Sequence, residues 1–301
     1  MPGDVAGYDL DDLRRVVARI AGEAAGFLRD RLGATDLLRV EAVHARDETM
    51  RIDSQTEDFI MDLLRAEGIR GIVASEEKGR VKLGDDKLVV VVDPLDGSKN
   101  FASYVPWAAV SIAVAPLPDS GAPLLTDVVA GAVAPIFNWP VVSFARGRGV
   151  YEGSSKPLST PTRRLLLYYA ETVEQARIVI ELINSFKSRG YRVSARAMGS
   201  ASLESTWAGL GRALVFADVR GKLRTIDIAA SVHIALEAGA YVIVEKWGAR
   251  IDRVEEVGVV VVAPPDTWSI VRDTLYNVGL RELVESKALR RESLNQLEGR
   301  A

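Results

Sequence analysis

Cysteine is absent from the 301 residues. Its absence removes disulfides, zinc–thiolate sites and thiol nucleophiles together. Histidine is nearly absent too. Only His44 and His233 occur, both read as surface or packing residues, with no His-Asp-Ser arrangement around them. Long apolar runs are missing: Tyr104 to Pro118 is too short to cross a bilayer and contains three prolines. The opening MPGDVAGYDLDDL has neither a basic segment nor an apolar one, so no secretory leader is read and a cytoplasmic location is expected. An excess of one charge is also lacking. Lys and Arg number 38 against 41 Asp and Glu, a net charge of −3, which gives no electrostatic reason to expect nucleic acid. The Trp and Tyr residues are scattered, as packing residues are, and form no series of base-stacking platforms. A small anionic substrate held by a few placed cations or metals is compatible with all of this.

What is present suits a soluble globular chain, with 48% hydrophobic and 26% charged residues and enough length for one large core or two ordinary domains. Near residues 10–32, Leu13, Val16, Val17, Ile20, Ala24, Phe27 and Leu28 recur at helical spacing, closed near Gly33. A second helix fits Ser54 to Ala66. Lys87 to Val92 reads as a buried strand ending at Asp93. Apolar runs follow at Trp107–Ala115, Asp127–Ala134 and Val141–Ala145, and 146–153 reads as a hairpin region. Turns and no helices separate these runs, so the first half is expected to be an antiparallel sheet with helices.

The second half alternates. Strand Leu165–Tyr169, helix Val173–Ser188, strand Tyr191–Ser194, helix Ser202–Ala208 and strand Ala213–Val219 are followed by helix Asp227–Ala238 and strands Tyr241–Glu245 and Gly258–Ala263. That rhythm indicates an α/β unit. The Ser/Pro/Thr-rich stretch Ser154–Thr162 is the boundary, dividing the chain into residues 1–155 and 156–301. The end, Trp268–Glu298, is expected to be helical with a solvated charged face.

The strongest chemical signal is Asp93-Pro94-Leu95-Asp96-Gly97-Ser98, directly after a buried strand. Two carboxylates three residues apart can share hard cations, and the Leu95 carbonyl can add an oxygen. Backbone N–H groups at Gly97 and Ser98 can point at a phosphate. An ordinary strand-to-loop turn would also use Asp, Pro and Gly. Ser75-Glu76-Glu77 alone reads as a solvated loop. Asp227, and Asp53 with Thr49, alone read as helix caps. Gly147-Arg-Gly149 with Gly153 has the wrong spacing for a dinucleotide loop. Lys78–Asp86 reads either as a plain solvated loop or as a lid ordered by ligand.

Together, Ser75-Glu76-Glu77, Asp93-Pro-Leu-Asp-Gly-Ser-Lys-Asn-Phe101, Gly199-Ser-Ala-Ser202 and Asp227-Ile-Ala-Ala230 resemble the inositol monophosphatase family of lithium-sensitive, Mg2+-dependent phosphatases, over roughly residues 10–265. The resemblance implies an α/β fold, a layered α/β/α/β/α sandwich with the site between an α+β half and an α/β half. It implies that Glu76, Asp93 and the Leu95 carbonyl hold one Mg2+, that Asp93, Asp96 and Asp227 hold a second, and that a third, weaker ion leans on Glu76. Asp53 and Ser98 would orient the attacking water, with Glu76 beside them. Asp96, Gly97, Ser98, Arg196, Ala201 and Arg220 would contact substrate.

Departures from the common family pattern are Ser98 for Thr, Ile226 for Trp and Ser231 for Gly. Asp218-Val219-Arg220, with Arg196 ahead of Gly199, is similar to archaeal members that accept both inositol-1-phosphate and fructose-1,6-bisphosphate. The expected substrate is therefore a small phosphorylated polyol, and the expected assembly is a homodimer. Two other readings stay open at this point. One is a phosphatase of adenosine 3',5'-bisphosphate, and the other is a non-catalytic binding protein on the same scaffold.

Overall fold

The computed structural model describes residues 4–43, 48–85, 87–158 and 164–293. Short antiparallel pairs accompany the first helices: β1 (Asp4–Val5) with β2 (Tyr8–Asp9), and β3 (Val40–Val43) with β4 (Glu48–Met50). Helix α1 spans Leu10–Arg29. Asp9 starts it by accepting the N–H groups of Asp11 and Asp12 at 2.9 and 3.0 Å. Its Leu13, Val17, Ile20, Ala24 and Leu28 form the buried stripe that the spacing predicts. Helix α2 spans Arg51–Ala66, three residues longer at its start than the apolar pattern indicates.

A seven-stranded sheet follows. It contains β5 (Gly71–Ser75), β6 (Gly79–Leu83), β7 (Leu88–Asp96), β8 (Ala109–Pro116), β9 (Ala130–Pro135), β10 (Val142–Ala145) and β11 (Gly149–Glu152), in the order β11-β10-β9-β8-β7-β5-β6, and the short helix α3 (Ser98–Ala102) follows β7. All neighbours are antiparallel except β5 and β7, which run parallel, so the expectation of a purely antiparallel sheet needs that correction. Residues 79–83, read above as loop or lid, form edge strand β6, with Ser75 opposite Gly79 and Gly71 opposite Leu83. Charged Arg80 and Lys82 alternating with Val81 and Leu83 suit an edge. Asp86 lies outside the described residues.

The chain passes to a six-stranded sheet between Glu152 and Leu165. Its elements are β12 (Leu165–Tyr169), α4 (Val173–Ser188), β13 (Ser194–Arg196), α5 (Ala201–Gly209), β14 (Val215–Arg224), α6 (Thr225–Glu237), β15 (Tyr241–Val244) and β16 (Glu256–Ala263). Strand order is β13-β12-β14-β16-β15-β17, where β17 (Ala288–Leu289) follows α7 (Trp268–Asn277) and α8 (Arg281–Lys287). β12 pairs in parallel with β13 and β14, and the other pairs are antiparallel. Strand β13 starts at Ser194, where the apolar run had placed a strand end. Residues 294–298 of the expected tail lie outside the described residues.

Five layers result. Helices α1 and α2 pack on the outer face of the first sheet, α5 and α6 lie between the sheets, and α4 and α7 cover the second. Helix α6 is buried from Thr225 to Leu236, as befits a helix apolar on every side. One core runs through it, from Val91 and Phe144 in the first sheet to Phe216 and Val260 in the second. Helices α5 and α6 approach so closely at Gly209 that a Cβ there would sit 2.5 Å from that of Ala235. Among the described residues, no helix is long and apolar enough to cross a membrane.

Candidate active site

Both strands that carry the chemistry are bulged. In β7 the ladder pairs Asp93 with Ser111, then shifts register before Asp96 meets Ala109. Pro94 has no N–H to give the ladder, and the pairing breaks there, just past the carboxylate at which the apolar run ends. The bulge instead lets pairing resume and re-aims the intervening residues, as bulges beside active sites do. In β14 the register shifts between Asp218 and Leu223 and again before Arg224, with Gly221 at φ 74°. This carries the strand five residues past its predicted end at Val219 and brings Arg220 and Arg224 to the site.

The two bulges face one cavity of about 270 Å³, enough for a small sugar phosphate. The first half contributes Glu76, Asp93, Leu95, Asp96, Gly97, Ser98, Lys99 and Asn100 to its lining. The second half contributes Tyr169, Gly199, Ala201, Arg220, Leu223, Arg224 and Asp227. Gly97 turns at φ 88°, and a Cβ there would meet the Trp107 carbonyl at 3.0 Å. Asn100 staples the halves by donating to the carbonyls of Trp107 at 2.7 Å and Met198 at 2.6 Å.

Each carboxylate is held by its own local structure. Asp93 accepts the Leu95 N–H at 3.1 Å. Asp96 accepts the Ser200 hydroxyl at 2.6 Å and the N–H groups of Ala201 and Ser202 at 3.2 and 2.8 Å, so α5 begins on it. Asp227 accepts the Arg224 N–H at 2.7 Å from the third position of α6, so it caps the helix from inside and Arg224, not Asp227, is the N-cap. The Arg224 guanidinium spans Glu76 at 2.6 Å and Asp227 at 3.1 Å.

Burial is the leading cause at Glu76, Asp93 and Asp96, where it favours the neutral carboxyl. Burial lifts Glu76 to about 7, with Arg224 opposing and Asp227 adding. Asp93 is raised well above the carboxylate range by burial and then by Glu76, Asp96 and Asp227. Asp96 is raised to about 6 by burial, against its serine donors. The cleft is thus a crowded, oxygen-only donor set that a divalent cation would relieve, and its chemistry fits a hard ion such as Mg2+. Among the described residues, no three acidic or imidazole side chains close into a ready metal-ligand group.

Two expected residues stand apart from the cavity lining. Asp53 is buried at the start of α2, and its carboxylate accepts the Met50 N–H at 2.8 Å, again capping from inside the helix. Of its proposed companion Thr49 only the backbone, in β4, is described. Arg196 is exposed on β13 and donates to the Ala195 carbonyl at 2.8 Å. Arg220 does line the cavity, but it also pairs with buried Asp218 at 2.6 Å and stacks over Tyr169 at 4.4 Å. His233 is a packing residue, bonded to the Leu125 carbonyl at 2.8 Å, and burial drives its pKa down to about 3. His44 lies outside the described residues.

Sequence reasoning missed Arg224, Tyr169 and Glu204. Arg224 carried a usable signal, three residues ahead of Asp227 at a helix start. Glu204 sits among Ser200, Ser202 and Ser205, an unusual polar cluster for a helix with an apolar neighbour.

Comparison with known proteins identifies the family and the fold. Residues 9–274 match the model of the inositol monophosphatase family. An inositol-1-monophosphatase of Aeropyrum pernix is 39% identical over 260 residues, covering 84% of this chain and 93% of that protein. A fructose-1,6-bisphosphatase/inositol-1-monophosphatase of Methanothermobacter thermautotrophicus is 31% identical over 211 residues, covering 66% and 72%. The crystal structure of an extragenic suppressor protein from Bartonella henselae superposes with a TM-score of 0.68 at 22% identity, over 87% of this chain and 98% of that one, and so shares the fold.

Proposed function

The chain belongs to the inositol monophosphatase family of metal-dependent phosphatases, and from that premise we propose that it hydrolyses inositol-1-phosphate and fructose-1,6-bisphosphate with Mg2+. One observation carries the reading: acids from both halves, Glu76, Asp93, Asp96 and Asp227, line a single cavity beside the Gly97–Ser98 turn. Glu76, Asp93, the Leu95 carbonyl, Asp96 and Asp227 would hold the Mg2+ ions, two or three in number. When bound, such ions neutralise phosphate charge and make water nucleophilic at neutral pH.

The chain's own groups do the rest. The Gly97 and Ser98 N–H groups receive phosphate oxygens, and Ala201 packs against the substrate. The Ser98 hydroxyl and Glu76 carboxylate orient the attacking water. Positioning of this kind lowers the barrier because the encounter is already arranged. Asp53, whose carboxylate also fixes the start of α2, shares this role with Ser98 and Glu76.

Arg220 supplies the distinction between substrates. Its guanidinium is oriented by Asp218 and supported by the Tyr169 ring. A bisphosphate carries a second phosphate away from the acids, where a fixed guanidinium suits it. The Aeropyrum pernix relative is named for the first activity and the Methanothermobacter thermautotrophicus relative for both, which supports the reading. An adenine nucleotide finds less support. Among the described residues, Tyr169 is the one aromatic ring in the cavity lining, and Arg220 already covers it. A homodimer, as the family default, and a cytoplasmic location, as the sequence is read, belong to the same proposal.

The test is phosphate release with and without Mg2+ over inositol-1-phosphate, fructose-1,6-bisphosphate and adenosine 3',5'-bisphosphate. Turnover of the first two, abolished by chelation, supports the reading. Preference for the nucleotide would overturn the substrate assignment, and no turnover at all would favour a binding role.

A further inference from the structure

We infer that Glu204 is a positioning residue for Asp96, acting through the turn at Met198–Ser200, with Tyr169 as its outer partner. The inference rests on the reading of Asp96 as a metal ligand. Glu204 is fully buried on α5 and is not among the residues that line the cavity. One of its oxygens accepts the Met198 N–H at 3.1 Å. The other accepts the N–H groups of Gly199 and Ser200 at 3.2 and 3.3 Å, and the Tyr169 hydroxyl as well. Three consecutive amides are therefore fixed by one carboxylate. The residues that follow directly, Ser200 to Ser202, are those that grip Asp96.

The arrangement is costly, which argues that it has a use beyond filling space. A buried carboxyl without a counter-cation carries a heavy desolvation cost unless donors surround it. No cation contacts Glu204 among the described bonds; its partners are three amides and a phenol. Burial lifts its pKa to about 8 even against those donors. The turn it holds also cannot relax freely. Gly199 sits at φ 89°, and a Cβ there would meet the Asn100 amide at 3.1 Å. Asp96 springs from the first sheet, so its carboxylate direction is set by a turn that belongs to the second. Glu204 fixes that turn, and Tyr169 links it to the cavity wall, where Arg220 lies on its ring.

The experiment is calorimetric Mg2+ titration of the full chain, with circular dichroism to establish that each variant is folded. Glu204→Gln should weaken Mg2+ binding roughly 10–100-fold, the effect typical of groups that orient metal ligands. Tyr169→Phe keeps the ring beneath Arg220 and loses only the hydroxyl, so it should weaken binding roughly 3–10-fold, as for one net hydrogen bond. Asp96→Asn serves as the control. If Asp96→Asn loses Mg2+ while folded Glu204→Gln binds it as wild type does, Glu204 is structural only and the inference is overturned. If Asp96→Asn itself binds normally, the metal assignment is at fault instead. Should Glu204→Gln fail to fold, Tyr169→Phe decides, and an unchanged Mg2+ affinity would overturn the inference.

Discussion

Asp93 occupies a position where burial and three neighbouring acids all oppose its charge. Such a group works against stability for the sake of function, and replacement should expose both sides of that conflict. Asp93→Asn is expected to abolish phosphate release at any practical Mg2+ concentration, a loss of at least several kcal/mol in the transition state. In chelator, the same variant should melt higher than wild type, because one repelling charge has gone. A calorimetric scan beside the activity assay checks both, and retained turnover would refute the metal assignment. Ser98 makes a gentler case. Ser98→Thr keeps the hydroxyl and most activity, whereas Ser98→Ala should lower kcat more than KM. Arg220→Ala should cost the bisphosphate roughly 1–3 kcal/mol more in kcat/KM than the monophosphate, the value of a charged hydrogen bond. Equal losses on the two substrates would remove Arg220 as the discriminator.

Among the elements, the α5–α6 crossing is the most sensitive to added bulk. Gly209→Val places side-chain atoms where Ala235 already stands, and overpacking there should cost at least about 1–3 kcal/mol, read as a lower urea midpoint. Elements with one apolar face were legible in the sequence. Helix α4 begins at Val173 and ends at Ser188 as its spacing indicates, with Val179, Leu182 and Phe186 buried. Elements that depart from the simple periods were not. β6 hid behind its charges, and β7 and β14 were cut short at Pro94 and Val219 because a bulge interrupts the alternation that marks a strand. The acids of the site were legible because their motifs are local. The link from Arg224 to Glu76 spans 148 positions, and that from Tyr169 to Glu204 spans 35, so neither leaves a mark at short range.

At the scale of the molecule, pH should report on the buried Glu204. Its folded pKa of about 8 lies above the ordinary 4.5, so the folded state binds the extra proton between those values. The stability this proton supports is complete below about pH 4.5 and is lost as pH rises toward 8. Melting temperature in chelator should therefore fall across that window, and fall less steeply in Glu204→Gln. Parallel curves for the two proteins would mean that Glu204 does not titrate there.

Helix α6 completes the middle layer that α5 begins, and it is made late. A ribosome finishes the first sheet at Glu152 but reaches Glu237 only 85 residues afterwards. At about 5–20 residues per second, the inner face of that sheet waits roughly 4–17 s for its cover. Throughout that interval a nascent chain presents a sticky apolar wall bearing three of the four acids, and Asp227 arrives with the very helix that closes the wall. Catalytic competence and protection from aggregation thus begin at the same moment of synthesis.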